Sequence, residues 1–386
     1  MPPRRYLDNA ATSWPKPESV HAAWEQAARS LGAAAGRGGH RSATAAGRII
    51  DRGRGLAAAI LGGVDPERVA FPAGGTLALN MAIHGILRPG DHVIATAADH
   101  NATLRPLWSL ASRGVIAVDI VSCDGVGRVD PDDVARAWRP ATRLVACSHA
   151  SNVTGTVQDA EAIARVAHGR GGLLLLDAAQ TLGHVPPAAM AAIGADIIAA
   201  PAHKWLLAPM GAGILHVRPG LDLEPLVQGG TGSASDRLDM PEAFAARMEA
   251  GTPDLPAIAG LVAAIEWLRS PANESIAVSC RAMARDCAEG LAELRGVRVI
   301  AAAAEPAAEV FAPIVSFVVA GHDPAEVAAV LEQAAGIEAR SGFHCAARVH
   351  EFLGTSAAGT VRVSFGPFNT ADDVEAVVKT IAMLVG

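Results

Sequence analysis

From about residue 67, short runs of apolar and β-branched residues alternate with longer stretches whose apolar positions recur at helical spacing. The runs fall at residues 68–71, 92–95, 115–121, 143–147, 173–176, 197–198 and 214–217. Strands separated in this way by helices imply a mostly parallel sheet covered by helices, an α/β fold. The breaks between runs carry turn and cap residues. Arg88-Pro89-Gly90-Asp91 reads as a turn, and Asp130-Pro131-Asp132-Asp133 as a helix start with proline and acids in its first turn.

Beyond Gly251-Thr252-Pro253-Asp254-Leu255-Pro256 the pattern changes. A long helix through Leu268 and further helices to about Leu294 precede strands at 297–300, 314–319 and 361–364, with a terminal helix from Asp372. A chain of 386 residues exceeds one ordinary core. The expectation is a large domain over 16–255, a smaller α+β C-terminal domain over 256–386, and 1–15 as an N-terminal segment packing near the active site. No internal repeat or low-complexity tail interrupts this plan.

Composition narrows the class. Hydrophobic residues make up 51% of the chain, but charged residues break every long apolar stretch. No stretch approaches the roughly 20 residues of a membrane span. The basic start of the chain lacks the apolar region of a signal peptide, so a cytoplasmic protein is expected. Net charge is -7, and the cluster of Arg37, Arg41, Arg48, Arg52 and Arg54 reads as a solvated helix face rather than a nucleic-acid surface. Five cysteines without CxxC spacing argue against a disulfide framework or a metal site and leave free thiols.

The strongest local signal is Asp196-Ile197-Ile198-Ala199-Ala200-Pro201-Ala202-His203-Lys204-Trp205. The chain uses arginine almost everywhere, and Lys16 and Lys379 are its only other lysines. A lysine here meets the need for an amine that can lose its proton, the requirement for covalent bonding to a carbonyl carbon. Standing alone, it would read as a loop lysine with its head in solvent. Upstream, Leu173-Leu174-Leu175-Leu176-Asp177 ends an apolar strand in a carboxylate, at the sheet end where open α/β folds bind ligands. Asp177 suits a protonated ring nitrogen, or else caps the next helix. Phe71-Pro72-Ala73-Gly74-Gly75-Thr76 is a strand, a small-residue turn and a helix start whose free N–H groups can cradle a phosphate.

Taken in order, this turn, His100, Asn152, Asp177 with Gln180, and His203-Lys204 resemble the class V aminotransferase family and its cysteine desulfurase and selenocysteine lyase-like group. The resemblance runs from Leu7-Asp8-Asn9-Ala10-Ala11-Thr12 to Phe368-Asn369-Thr370. It implies a PLP-dependent transferase of fold type I, with a seven-stranded sheet, pyridoxal 5'-phosphate as cofactor and a homodimer. It makes Lys204 the Schiff-base lysine, Asp177 the partner of the pyridine nitrogen, and Gln180 a donor to the ring hydroxyl. His100 would stack on the ring. Gly75, Thr76 and His203 would lie at the phosphate, and Thr252 would reach the partner subunit's phosphate. Asn152 would sit beside the ring hydroxyl and the substrate carboxylate, which Arg362 would bind.

Arg340-Ser341-Gly342-Phe343-His344-Cys345-Ala346 matches the Arg-x-Gly-x-His-Cys-Ala pattern of the desulfurases. It makes Cys345 the sulfur-accepting thiol on a mobile segment, with His344 or a nearby arginine favouring its thiolate. The implied substrate is L-cysteine or L-selenocysteine, and the implied partner a sulfur-acceptor protein. Rival readings are a selenocysteine lyase, an aminotransferase or lyase that ignores Cys345, and a scaffold protein without PLP. The chain departs from the family at Gly75, where a hydroxyl residue is common, at Leu77, where an acid is common, and at Pro201, where Ser or Thr is usual.

Overall fold

The computed structural model describes residues 2–33, 35, 38–233, 236–305 and 310–386. Its main sheet has seven strands in the order Val69–Ala70, Gly213–Val217, Ile197–Pro201, Leu173–Asp177, Thr142–Ser148, His92–Thr96, Ala117–Val121. Gly213–Val217 alone runs against its neighbours. Each of the seven strands matches a run in the sequence. The central strands are buried on both faces because their side chains alternate between two cores. Val145, Leu174 and Ile198 face one core, and Leu144, Leu175 and Ile197 the other.

Helices cover both faces, and local chemistry sets their ends. Asp130 accepts a hydrogen bond from the Asp132 N–H ahead of the helix Pro131–Arg136. The helix Leu255–Leu268, at the point where the sequence pattern changes, is apolar nearly all round. It inserts Ile258, Leu261 and Ile265 into the core of the main sheet beside Val20 and Ile50, not into the smaller core.

The smaller sheet is antiparallel, in the order Arg340–Gly342, Thr360–Ser364, Ile314–Val319, Val297–Ile300. Leu291, Phe317, Val361 and Ile381 build its core against the helices Ile276–Ala292, Pro324–Ala335 and Ala371–Val385. The sequence pattern misses the strand Arg340–Gly342. It is three residues long, polar and glycine-ended, and only its neighbour makes it a strand. Near the N-terminus, Arg5–Tyr6 pairs with Ile337–Glu338, and the chain then crosses between the two sheets.

The basic cluster divides. Arg41, Arg48 and Arg52 are exposed, whereas the Arg54 side chain is 11% exposed and pairs with Glu249. Arg37 lies outside the described residues. Among the described residues, no helix is long and apolar enough to cross a membrane.

Candidate active site

Four parallel strands deliver their C-terminal ends to one cleft, the usual ligand position of an open α/β sheet. Past Thr96 comes His100, past Ser148 comes Asn152, Asp177 ends its own strand, and past Pro201 come His203 and Lys204. Gln180, Gly75 and Thr76 complete the wall.

Asp177 is 5% exposed, and one of its oxygens accepts the Ala179 N–H at 2.9 Å. Burial pushes its carboxyl up, while the Lys204 amine opposes the shift. Lys204 is held down at about 8, chiefly by desolvation, with the Asp177 charge acting the other way. Burial thus shifts the carboxyl up and the amine down, each against the attraction of the other's charge. His100 caps the helix Asn101–Ser112, its Nδ1 accepting the Ala102 N–H at 3.0 Å. Burial, reinforced by Lys204, lowers it to about 4, so the ring is neutral. Behind it Asp99 is fully buried and accepts N–H groups from Thr96 at 2.7 Å and Ser148 at 2.5 Å. That bridge ties two strand ends together and sets the path of the chain to His100.

Among the described residues, the buried His203 Nδ1 has no hydrogen-bond partner. Its carbonyl accepts the Ser13 N–H at 3.0 Å and the Thr12 hydroxyl at 3.2 Å, so the N-terminal segment fixes the peptide that leads into Lys204. Gln180 donates to Ala10 O at 3.0 Å and accepts from the Trp205 indole at 2.7 Å. Gly74 caps the helix Gly75–Ile86 at φ 133°, a conformation that favours glycine, and leaves the first N–H groups of the helix open to the cleft.

Arg362 and Cys345 come from the smaller sheet. Arg362 is 1% exposed and donates from Nη2 to Asp8 at 2.6 Å and from Nη1 to Asn152 O at 2.9 Å, while its Nε has no partner among the described residues. Cys345 is exposed, and its carbonyl accepts the Asn101 N–H at 2.8 Å, next to His100. Asn152 donates to His344 O at 2.7 Å. The Ala346 N–H donates to Phe343 O at 2.9 Å, closing a turn whose two central residues, His344 and Cys345, have φ 50° and 59°. Positive φ at both positions is the pattern of a type I′ turn, usually built from Asn and Gly. For other residues it costs roughly 1–3 kcal/mol each. The thiol thus sits on a strained turn whose His344 and Cys345 carbonyls accept from Asn152 and Asn101.

Arg340 Nη2 lies 3.7 Å from Cys345 Sγ. The His344 ring is buried and turned toward Thr360 Oγ1 at 2.9 Å, and burial together with Arg362 drives it well below its ordinary pKa. Of the two neighbours expected to favour the thiolate, the arginine is the one beside the sulfur. Arg340 and Asp8 both stand in the quoted motifs, but only pairing of Arg340–Gly342 with Thr360–Ser364 and the N-terminal crossing show that they face the site. Thr252 is exposed and lies outside the cleft of its own chain.

The class-V aminotransferase model matches residues 5–377. A probable cysteine desulfurase of Methanothermobacter thermautotrophicus is 33% identical, covering 99% of this chain and 94% of its own. One of Pseudomonas putida is 32% identical over 96% of this chain and 91% of its own. The apo structure of a cysteine desulfurase from Thermococcus onnurineus superposes with a TM-score of 0.90 at 30% identity, over 98% of this chain and 94% of that one. The Escherichia coli cysteine desulfurase CsdA gives a TM-score of 0.85 at 29% identity, with 98% and 94% covered. Sequence, sheet order and strand-end cleft agree: the chain belongs to the class-V aminotransferase family of PLP-dependent enzymes.

Proposed function

We propose that the protein is a cysteine desulfurase that moves sulfur from L-cysteine onto Cys345 and leaves L-alanine. The observation that carries this reading is the convergence of a buried guanidinium, a low-pKa lysine and an exposed cysteine on one cleft.

The residues fit pyridoxal 5'-phosphate. Asp177 is a buried carboxylate suited to a protonated ring nitrogen, the His203 Nδ1, without a partner among the described residues, can meet the ring side of a phosphate, and the open turn at Gly74 and Gly75 with Thr76 can hold the phosphate itself. His100 would cover the ring, with Gln180 and Asn152 beside its hydroxyl. When bound, the cofactor supplies a carbonyl carbon for amines and an electron sink for the substrate's carbon atoms.

Arg362 and Asn152 orient the substrate carboxylate. Lys204, whose amine is brought down to about 8 from the ordinary 10.5, takes the proton from the α-carbon. Cys345 Sγ, as thiolate beside Arg340, attacks the substrate sulfur. The S–S bond forms as the Cβ–S bond breaks, its electron pair stays with Cβ, and a proton delivered there completes alanine. Cys345 is left as a persulfide, exposed to an acceptor protein.

The exposure of Thr252 outside its own cleft supports a homodimer in which it reaches the neighbour's phosphate site. Five free cysteines suit a reducing cytoplasm. The test is Cys345→Ala. It is expected to bind PLP with an unchanged absorbance spectrum and to bind cysteine, while sulfur release falls by several kcal/mol in barrier terms, roughly 10³-fold. Near-normal sulfide release would replace the proposal with a lyase or aminotransferase reading, and survival of selenocysteine turnover alone with a selenocysteine lyase.

A further inference from the structure

The run Cys345-Ala346-Ala347-Arg348-Val349-His350 places a histidine five residues beyond the thiol, and the chemistry above does not use it. His350 is fully buried, on the short helix Val349–Phe352. Its Nδ1 lies 2.8 Å from Thr355 Oγ1, which sets the plane of the ring. That ring meets Phe343 edge-on, with centroids 5.3 Å apart and planes at 90°, and lies 6.1 Å from the ring of His344. Burial lowers the pKa of His350, and the Phe343 main chain is the group that opposes the shift, so the imidazole is a neutral fixture facing that residue.

Phe343 is the first residue of the turn that carries Cys345 and is 40% exposed. A large aromatic ring half in water at the head of a strained turn needs something to hold it. Two consecutive left-handed non-glycine residues persist only where their surroundings over-determine them. From the cleft side, Asn101 and Asn152 hold the carbonyls of Cys345 and His344. From the strand Thr360–Ser364, Thr360 holds the His344 ring. His350 supplies the hold from beneath. Val349, its neighbour, packs with Val153 and Ile300, which ties this helix to the loop past Ser148 and to the smaller sheet.

We propose that His350 is a positioning residue: clamped to Thr355, it keeps Phe343 edge-on and so holds the turn in the arrangement that sets Cys345 Sγ beside Arg340. The proposal rests on Cys345 being the sulfur-accepting thiol, but its first readout does not. Alkylation of Cys345 by iodoacetamide in the holoenzyme, followed by peptide mass spectrometry, reports the turn without any cysteine turnover.

Two variants test it. His350→Leu removes the clamp at similar volume, and Phe343→Ala removes the ring it holds from a half-exposed position where core packing is not at stake. Both are expected to raise the alkylation rate of Cys345 roughly threefold or more, because the turn opens locally. Both should also lower kcat for sulfur release by about tenfold or more with KM for cysteine within about twofold, because the nucleophile is misplaced while the substrate contacts remain. Alkylation and kcat both within about twofold of the parent in Phe343→Ala overturn the proposal, whether or not His350→Leu folds. If alkylation rises as expected in a protein whose parent releases no sulfur from cysteine, the positioning role stands and the desulfurase reading falls.

Discussion

Asp8 and Arg362 meet at 2.6 Å across 354 residues of chain, and the guanidinium they share is 1% exposed. Asp8 is therefore the counter-ion of a buried charge at the position proposed to take the substrate carboxylate.

Removing Asp8 should expose that conflict. Asp8→Asn leaves Arg362 without a charged partner and is expected to cost about 2–4 kcal/mol of stability, read as a lowered thermal midpoint. An added amino acid then becomes the missing counter-ion, so alanine should bind the variant more tightly than the parent and recover more of its midpoint. Weaker binding of alanine by the variant would show instead that Asp8 orients the fork of Arg362 for its ligand.

The Lys204 amine, held at about 8, predicts the pH dependence of cofactor attachment. Only the free amine attacks a carbonyl carbon. The rate at which PLP joins cofactor-stripped protein should therefore climb with pH and level off above about 8, well below the ordinary lysine value of 10.5. Asp177 raises the Lys204 pKa, so Asp177→Asn should move the profile to lower pH. Borohydride reduction and peptide mapping should place the label on Lys204. A profile still rising at pH 10, or a label elsewhere, refutes the assignment.

Gly75 and Pro201 are packed as a pair. A Cβ at 75 would lie 2.8 Å from Pro201 Cδ and 2.9 Å from its nitrogen, so two departures from the family pattern belong to one contact. Gly75→Ala is expected to destabilise by about 1–3 kcal/mol through overpacking and to speed PLP loss on dialysis. Unchanged denaturation and retention would show that the turn can move away from Pro201.

Buried histidines set the acid limit. Burial lowers His149 and His216 to about 4, and each is nearly solvent-free. Their unfolded values lie near 6.5, so between pH 6.5 and 4 the unfolded chain binds protons that the folded one refuses. Stability is unaffected by them above pH 6.5 and falls as pH drops through that window, at up to about 1.4 kcal/mol per pH unit for each residue. Denaturant unfolding from pH 7 to 4.5 checks the sign, and His216→Gln should flatten the slope. Equal slopes in parent and variant would remove His216 from the account.

The main sheet was legible because strands buried on both faces must be continuously apolar, and the breaks between them must be turns. Asp177, His203 and Lys204 stood out for a related reason: polar residues gather at the ends of such apolar strands, and lysine is scarce here. The short strand Arg340–Gly342 was not, since three polar residues carry no periodicity.

By itself, then, the sequence determined the α/β class, the cleft at the strand ends and the residue types offered there, because burial and local backbone chemistry act over a few residues at a time, and its ordered motifs carried the resemblance to the family. Tertiary structure decided what those residues do to one another. Asp8 neutralises Arg362, Arg340 rather than His344 stands beside the thiol, and Cys345 occupies a left-handed turn held by Asn101, Asn152 and Thr360. Each of these joins segments far apart in the chain, and such contacts depend on how two sheets and an N-terminal crossing pack, which no local pattern encodes.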